Sequence, residues 1–123
     1  MGNPVRRQIW CLWEPAGTLP PYLRLCFRTI ERNAGVPVEL LSASDVQRLS
    51  PELDPSLAAR IPRLAMRADY YRSHLLSSQG GLWLDVDSVV LRDLTWLFEL
   101  ADVSGIALRK NEIGVGVALI AAT

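Results

Sequence analysis

Lysine, histidine and cysteine are nearly missing from this chain. Lys110 is the sole lysine beside twelve arginines, His74 the sole histidine, and Cys11 and Cys26 the only cysteines in 123 residues. Two cysteines without metal-type spacing build neither a disulfide framework nor a zinc cluster, and both read as small buried hydrophobes. A single histidine with no nucleophile or second ligand at a useful spacing gives no catalytic triad and no zinc site. Thirteen basic residues balance thirteen acidic ones, so no overall field favours nucleic acid or an acidic membrane. The longest apolar run, residues 113–122, is far too short to span a bilayer. No signal-like N-terminus, internal repeat or low-complexity stretch is visible, and the expectation is a reducing, cytoplasmic setting. Gly114 and Gly116 make no phosphate loop, since no helix follows them.

What the chain does have is apolar material. Half of its residues are hydrophobic, enough for one core and too few residues for two, so residues 1–123 are expected to form a single domain. Residues 8–13 are a near-continuous apolar run, the pattern of a strand buried on both faces of a parallel sheet. From Pro20 to Asn33 apolar residues recur at helical steps, with Thr18 placed to cap the start and Gly35 to end it. Residues 36–41 read as a second strand, which completes a strand–helix–strand unit. Ser42 to Asp45 caps a short helix to about Leu49, and residues 50–62, with three prolines, read as a loop with little helix. A longer helix is expected to about Gln79, burying Leu64, Ala68, Tyr71 and Leu75. Arg63, Arg67 and His74 fall elsewhere on the wheel and read as a solvated face. A strand at 82–85, a short helix at 94–100 and strands at 105–108 and 115–120 follow. Alternating strands and helices predict an α/β fold with a mostly parallel sheet.

Chemistry gathers at Gly80-Gly81-Leu82-Trp83-Leu84-Asp85-Val86-Asp87. Two glycines stop a helix, an apolar strand begins, and two carboxylates appear two residues apart. On a strand they would share one face with Cα atoms roughly 6–7 Å apart. That spacing suits one hard divalent cation, Mg²⁺ or Mn²⁺, which uses one or two carboxylates and takes water and substrate phosphate for the remainder. The substrate so implied bears phosphate. Asp69 and Arg72 share one flank of the preceding helix, where Asp can accept from sugar hydroxyls and Arg can hold phosphate or fix Asp. Trp13, at the end of the first strand, offers a flat face for a nucleobase. Ligands of open α/β sheets bind beyond the carboxyl ends of the strands, where Trp13 and Asp85 both fall.

In order along the chain, Ile9-Trp10-x-x-Trp13, Arg67-x-Asp69-x-x-Arg72 and Gly80-Gly81-x-Trp83-x-Asp85-x-Asp87 resemble the DXD-containing glycosyltransferases of family 32. The likeness is greatest to the capsular-polysaccharide-synthesis-like branch, whose first strand also reads I-W-x-x-W. The second and third blocks are also similar to the glucosylating domains of large clostridial toxins. The resemblance spans residues 5–100 and implies a GT-A fold and metal-dependent retaining transfer of a sugar from a UDP- or GDP-sugar to a glycan or other acceptor. By position it implies that Asp87 coordinates Mn²⁺ or Mg²⁺ and that Asp85 reaches the donor's hydroxyls, in part through the metal. It places Asp69 and Arg72 on the donor sugar, Trp13 on the base and Trp83 near the donor. Members of that family run well beyond the equivalent of residue 123. The resemblance therefore implies a donor-binding half, with a partner chain or oligomer as one way to complete the site. The wheel sets Arg67 apart from Asp69, a departure from the family's pattern.

Two other readings use the same residues. The shortness of the chain also suits a non-catalytic nucleotide-sugar binding module, which would bind the donor without turnover. The stretch 82–90 also looks like the nucleophile strand of haloacid-dehalogenase-type phosphatases, with Asp85 as nucleophile and Asp87 as acid or base. That family needs a downstream Ser/Thr, a lysine and a further acidic pair, whereas only 36 residues follow Asp87 and Lys110 is the one lysine.

Overall fold

A computed structural model of the chain describes residues 4–104 and 119–121. The apolar run near the N-terminus becomes β1, Ile9–Leu12, and the next becomes β2, Val38–Leu41. They pair in parallel, Ile9 opposite Val38 and Leu12 opposite Leu41. A third parallel strand, β3, Gly81–Trp83, lies on the other side of β1, with Ile9 opposite Leu82. A short β4, Leu119–Ala121, completes the order β2-β1-β3-β4 and runs antiparallel to β3. The fold is α/β, as expected, with one antiparallel strand at its edge.

Strand side chains alternate faces, and two cores result. Ile9, Cys11 and Leu82 join Leu23 and Ile30 of α1, Pro21–Asn33, and Leu97 and Phe98 of α5, Thr95–Ser104. Trp10 and Trp83 point the other way. They meet Val46 of α2, Ala43–Leu49, Ala58 of α3, Pro55–Arg60, and Tyr71, Leu75 and Leu76 of α4, Leu64–Gln79. Helices thus cover both faces of the sheet. The arginines before β1 follow the same alternation, Arg6 lying over the Trp10 ring and Arg7 over Phe98. Arg7 also pairs with Asp102 at 2.7 Å, tying the start of the chain to α5.

The capping box on α2 is present, with Ser42 and Asp45 each accepting from the other's backbone N–H. Other expectations are corrected. Thr18 does not cap α1; its hydroxyl accepts from the Trp13 indole and donates to Pro15 O. The proline-rich 50–62 segment contains α3, because Pro55 sits at the first helical position, where its missing N–H costs nothing, and Asp54 caps it. β3 stops at Trp83, two residues short of the expected strand end. Leu64, expected in the buried stripe of α4, is 63% exposed at the helix start. Cys11 is buried and burial pushes its thiol up to about 12, while Cys26 is only half-buried, and both are free. The expected strand at 105–108, and 115–118 of the last one, lie outside the described residues. No helix among the described residues is long and apolar enough to cross a membrane.

Gly81, whose φ is 99°, passes close against β1. A Cβ there would sit 2.7 Å from Gln8 O and 3.0 Å from Trp10 Nε1. Gly17 has a similar φ of 78° but open space around it. Gly17→Ala should therefore cost about 1–2 kcal/mol, the backbone conformation alone. Gly81→Ala adds overpacking of about 1–3 kcal/mol. Urea-denaturation midpoints should fall in that order; equal losses would show that β3 has slack against β1.

Candidate functional site

β1 and β3 are neighbours, and the chain leaves the carboxyl end of each into the same space. Leu84 N–H still donates to Trp10 O at 2.9 Å, so β3 hands over directly to the acidic segment. Asp85 and Asp87 then lie on a turn closed by Ser88 N–H donating to Asp85 O at 3.0 Å. The shared-face argument from strand alternation therefore does not apply. The turn brings the two carboxylates together instead, both exposed to water and both lining one cavity.

That cavity has a volume of about 480 Å³. Trp13, Trp83, Asp85 and Asp87 all line it, so four of the six residues singled out from sequence meet there. Leu12, Glu14, Tyr22, Leu23, Leu64, Ala68 and Val86 complete the wall, much of it apolar. A second cavity of about 420 Å³ lies beyond β1 and β2, lined by Leu19, Arg24, Ser42 and Asp45 among others, and Trp13 borders both. Its position follows from the winding: the chain leaves β1 for α1 on one face and β2 for α2 on the other, which opens a crevice between those strand ends.

Asp85 titrates above the ordinary carboxylate range. Partial desolvation by the cavity wall is the main cause and the Asp87 charge beside it the second, with a smaller push from Asp69. The Arg72 charge and the Trp83 indole N–H, which acts on the carboxylate as a hydrogen-bond donor, pull in the other direction without cancelling the rise. Trp83 is itself buried against α4, so its indole both fills the core and reaches the site.

Asp69 and Arg72 form an ion pair at 3.0 Å, as their helical spacing suggests, but neither lines the cavity. Asp69 faces water and Arg72 is largely covered; their charges reach Asp85 without contact. Arg67 departs from the solvated-face reading. Its Nη2 donates to Ile61 O at 2.9 Å, and its Nε is buried with no hydrogen-bond partner. His74 is half-buried with its ring edge-on to Tyr70, 4.6 Å between centroids. Sequence reading missed Glu14 and Tyr22. Glu14 directly follows Trp13 at a strand end, which is signal enough; nothing local in the sequence marks Tyr22, at the start of α1, as a cavity residue.

Among the described residues no group of three or more His, Cys, Asp or Glu side chains could hold a metal ion. The two carboxylates fit a hard divalent ion nonetheless, because Mg²⁺ or Mn²⁺ usually takes few protein ligands and completes its shell with water and phosphate. Two adjacent anions, one of them raised in pKa by partial desolvation and then by the charge of the other, form a donor set that a cation would relieve. No family model, curated protein or solved structure matches the chain.

A carboxyl whose folded pKa is raised opposes folding once it ionises. The penalty is absent below the ordinary aspartate range, grows as pH rises through the interval up to the raised value, and is complete above it. Asp85→Asn should therefore raise the melting temperature of metal-free protein at neutral pH, with the gain vanishing toward acid. Melting curves in EDTA across that range check this; a variant less stable than the parent at neutral pH would show that Asp85 is held by partners its charge needs.

Proposed function

We propose that the chain is the donor-binding part of a glycosyltransferase that uses a nucleotide-diphosphate sugar. The observation that supports this most is the convergence of Trp13, Asp85 and Asp87 on one cavity at the carboxyl ends of two adjacent parallel strands. An aromatic plane beside paired carboxylates matches a ligand with a base at one end and a diphosphate toward the other. The family-32 resemblance adds that the reaction is retaining and the fold of GT-A type.

On this reading Asp85 and Asp87 hold Mn²⁺ or Mg²⁺, which when bound neutralises negative charge developing on the departing nucleotide diphosphate. The bond from the sugar's anomeric carbon to the diphosphate oxygen breaks, the electron pair leaving with the diphosphate, while an acceptor hydroxyl oxygen bonds to that carbon and its proton passes to the departing diphosphate oxygen. Trp13 stacks on the base, and since it borders both cavities, the base extends across the indole toward Ser42 and Arg24. Trp83 lines the same cavity, its indole N–H favouring the ionised form of Asp85. Asp69 lies beyond the cavity wall and accepts from sugar hydroxyls at the rim, while Arg72 orients it through their ion pair. The apolar stretch of wall at Leu64, Ala68 and Val86 excludes water from one side of the sugar.

Thermal-shift titration with UDP- and GDP-sugars, with and without Mn²⁺, tests the reading. Stabilisation by at least one donor, dependent on Mn²⁺, is expected. Asp87→Asn should weaken that binding by tenfold or more, about 1.4 kcal/mol or above, and leave the metal-free melting curve close to the parent's. Undiminished Mn²⁺-dependent affinity in the variant would remove the carboxylate pair from the donor site. Asp69→Ala should blur discrimination among sugars more than it weakens nucleotide binding; an unchanged donor profile takes Asp69 out of the site. Release of free nucleotide separates an enzyme from a binding module, and phosphate release from simple phosphomonoesters with Mg²⁺ would point to the phosphatase chemistry instead.

A further inference from the structure

The formal charge of the whole chain is zero, but its arginines are unevenly placed. α1 turns Arg24, Arg28 and Arg32 to water at successive four-residue steps. Tyr22 and Leu25 stand out beside them, 67% and 64% exposed. The segment after the acidic turn lies along the same helix. Val90 N–H donates to Thr29 Oγ1 at 3.0 Å, and Asn33 Nδ2 donates to Val90 O at 2.7 Å. Val90 is buried, whereas its neighbours Val89 and Leu91 face outward, 57% and 80% exposed, with Arg92 exposed after them. At 100° per residue, Thr29 and Asn33 are on the side of α1 next to Leu25, so the two segments offer one continuous face.

That face combines Arg24, Arg28, Arg32 and Arg92 with Tyr22, Leu25, Val89 and Leu91. Its acids are Glu31, exposed on α1, Asp87 at the edge, and Asp93, whose carboxylate accepts from Thr95 N–H at the start of α5. Ion pairs among the described residues use Arg7, Arg48 and Arg72, so none of these four arginines is neutralised. Arg24 makes one long contact, to Leu19 O at 3.4 Å.

We propose that this face docks the chain peripherally on an anionic phospholipid bilayer. Unpaired guanidinium groups fit phosphate, bidentately where geometry allows. Basic residues around exposed aliphatic ones are the composition of a surface that lies in the headgroup region, the arginines in the phosphate layer and the apolar side chains below it. A nucleic acid offers the same phosphates, but bases stack on aromatic rings, and the side chains named on this face are one tyrosine against three aliphatics, with Trp96, 56% exposed, beyond Asp93 at the start of α5. The proposal holds whatever the cavities bind.

Co-sedimentation of the full chain with vesicles tests it, using phosphatidylcholine containing phosphatidylglycerol against phosphatidylcholine alone. Binding to the anionic vesicles only, weakening as salt rises, is expected. Arg28→Gln with Arg32→Gln should reduce the partition coefficient by roughly tenfold or more. Leu25→Gln with Leu91→Gln should also reduce it, since apolar insertion is lost while charge is kept. Arg60→Gln with Arg63→Gln, on α3 and at the start of α4, should bind as the parent does. Circular dichroism melts confirm that each variant is folded. No binding, equal binding to neutral vesicles, or full binding by either face variant overturns the proposal. So does a preference for single-stranded DNA over anionic vesicles that ignores Leu25 and Leu91.

Discussion

The pairing of β3 against β1 is the contact on which the rest of the molecule depends. It is made at a place with no room. Gly81 passes so close to Gln8 O and the Trp10 indole that a side chain there has nowhere to go. Leu82 N–H donates to Gln8 O and Leu84 N–H to Trp10 O, both at 2.9 Å, while Trp10 Nε1 donates to Gly80 O at 2.8 Å. One tryptophan thus supplies a core ring, a hydrogen bond that fixes the end of α4, and the backbone acceptor that delivers Leu84. Because that delivery is one residue before Asp85, the position of the acidic turn is inherited from the register of the sheet. β1 hands Trp13 to the same space from the neighbouring strand, where the ring is held by donation to Thr18 Oγ1 at 3.0 Å.

Burial on both sides of the sheet explains why the site is where it is. The two cores cover the faces, so the exposed backbone available for a ligand lies at the strand ends. Asp85 is placed where those cores stop. It touches water, yet the wall behind it and the charge of Asp87 raise its pKa. Arg72 is near enough to act on Asp85, but its closest acid is Asp69, with which it pairs at 3.0 Å. The carboxylate pair therefore keeps an uncompensated negative potential facing the cavity, the condition under which a cation or a proton would be taken up there.

Much of this was legible because local and tertiary signals agreed. The apolar run at 8–13, the helical spacing of Leu23 and Ile30, the Ser42 and Asp45 box and the Gly80-Gly81 stop each have one strong local interpretation, and each appears as expected. α3 was hidden because prolines read as breakers, although Pro55 after Asp54 is an N-terminal signal when the two are taken together. Arg67 was misplaced because a wheel treats a long side chain as a direction; its guanidinium instead reaches back to Ile61 O, off the start of the helix. The acidic pair was found for an incomplete reason. Strand periodicity would have set both carboxylates on one face, but the strand ends at Trp83 and a turn does that work. Glu14, Tyr22 and the second cavity come from the crossing of β1, α1 and β2, which no single window of sequence contains.

α1 joins these parts. Its inner face, through Leu23 and Ile30, is core to the sheet. Its flank, through Thr29 and Asn33, grips both backbone groups of Val90 and so anchors the segment that follows Asp87. At its first turn Tyr22 lines the cavity with the carboxylates and Arg24 the second cavity. Its outer face carries the unpaired arginines. A force applied to the outer face is therefore applied to an element that also anchors the segment following the acidic turn and contributes to both cavity rims. A helix used in this way has little freedom to move independently of the site. Docking through it would orient the cavity mouths relative to the bilayer by rigid connection, with no conformational change in the sheet.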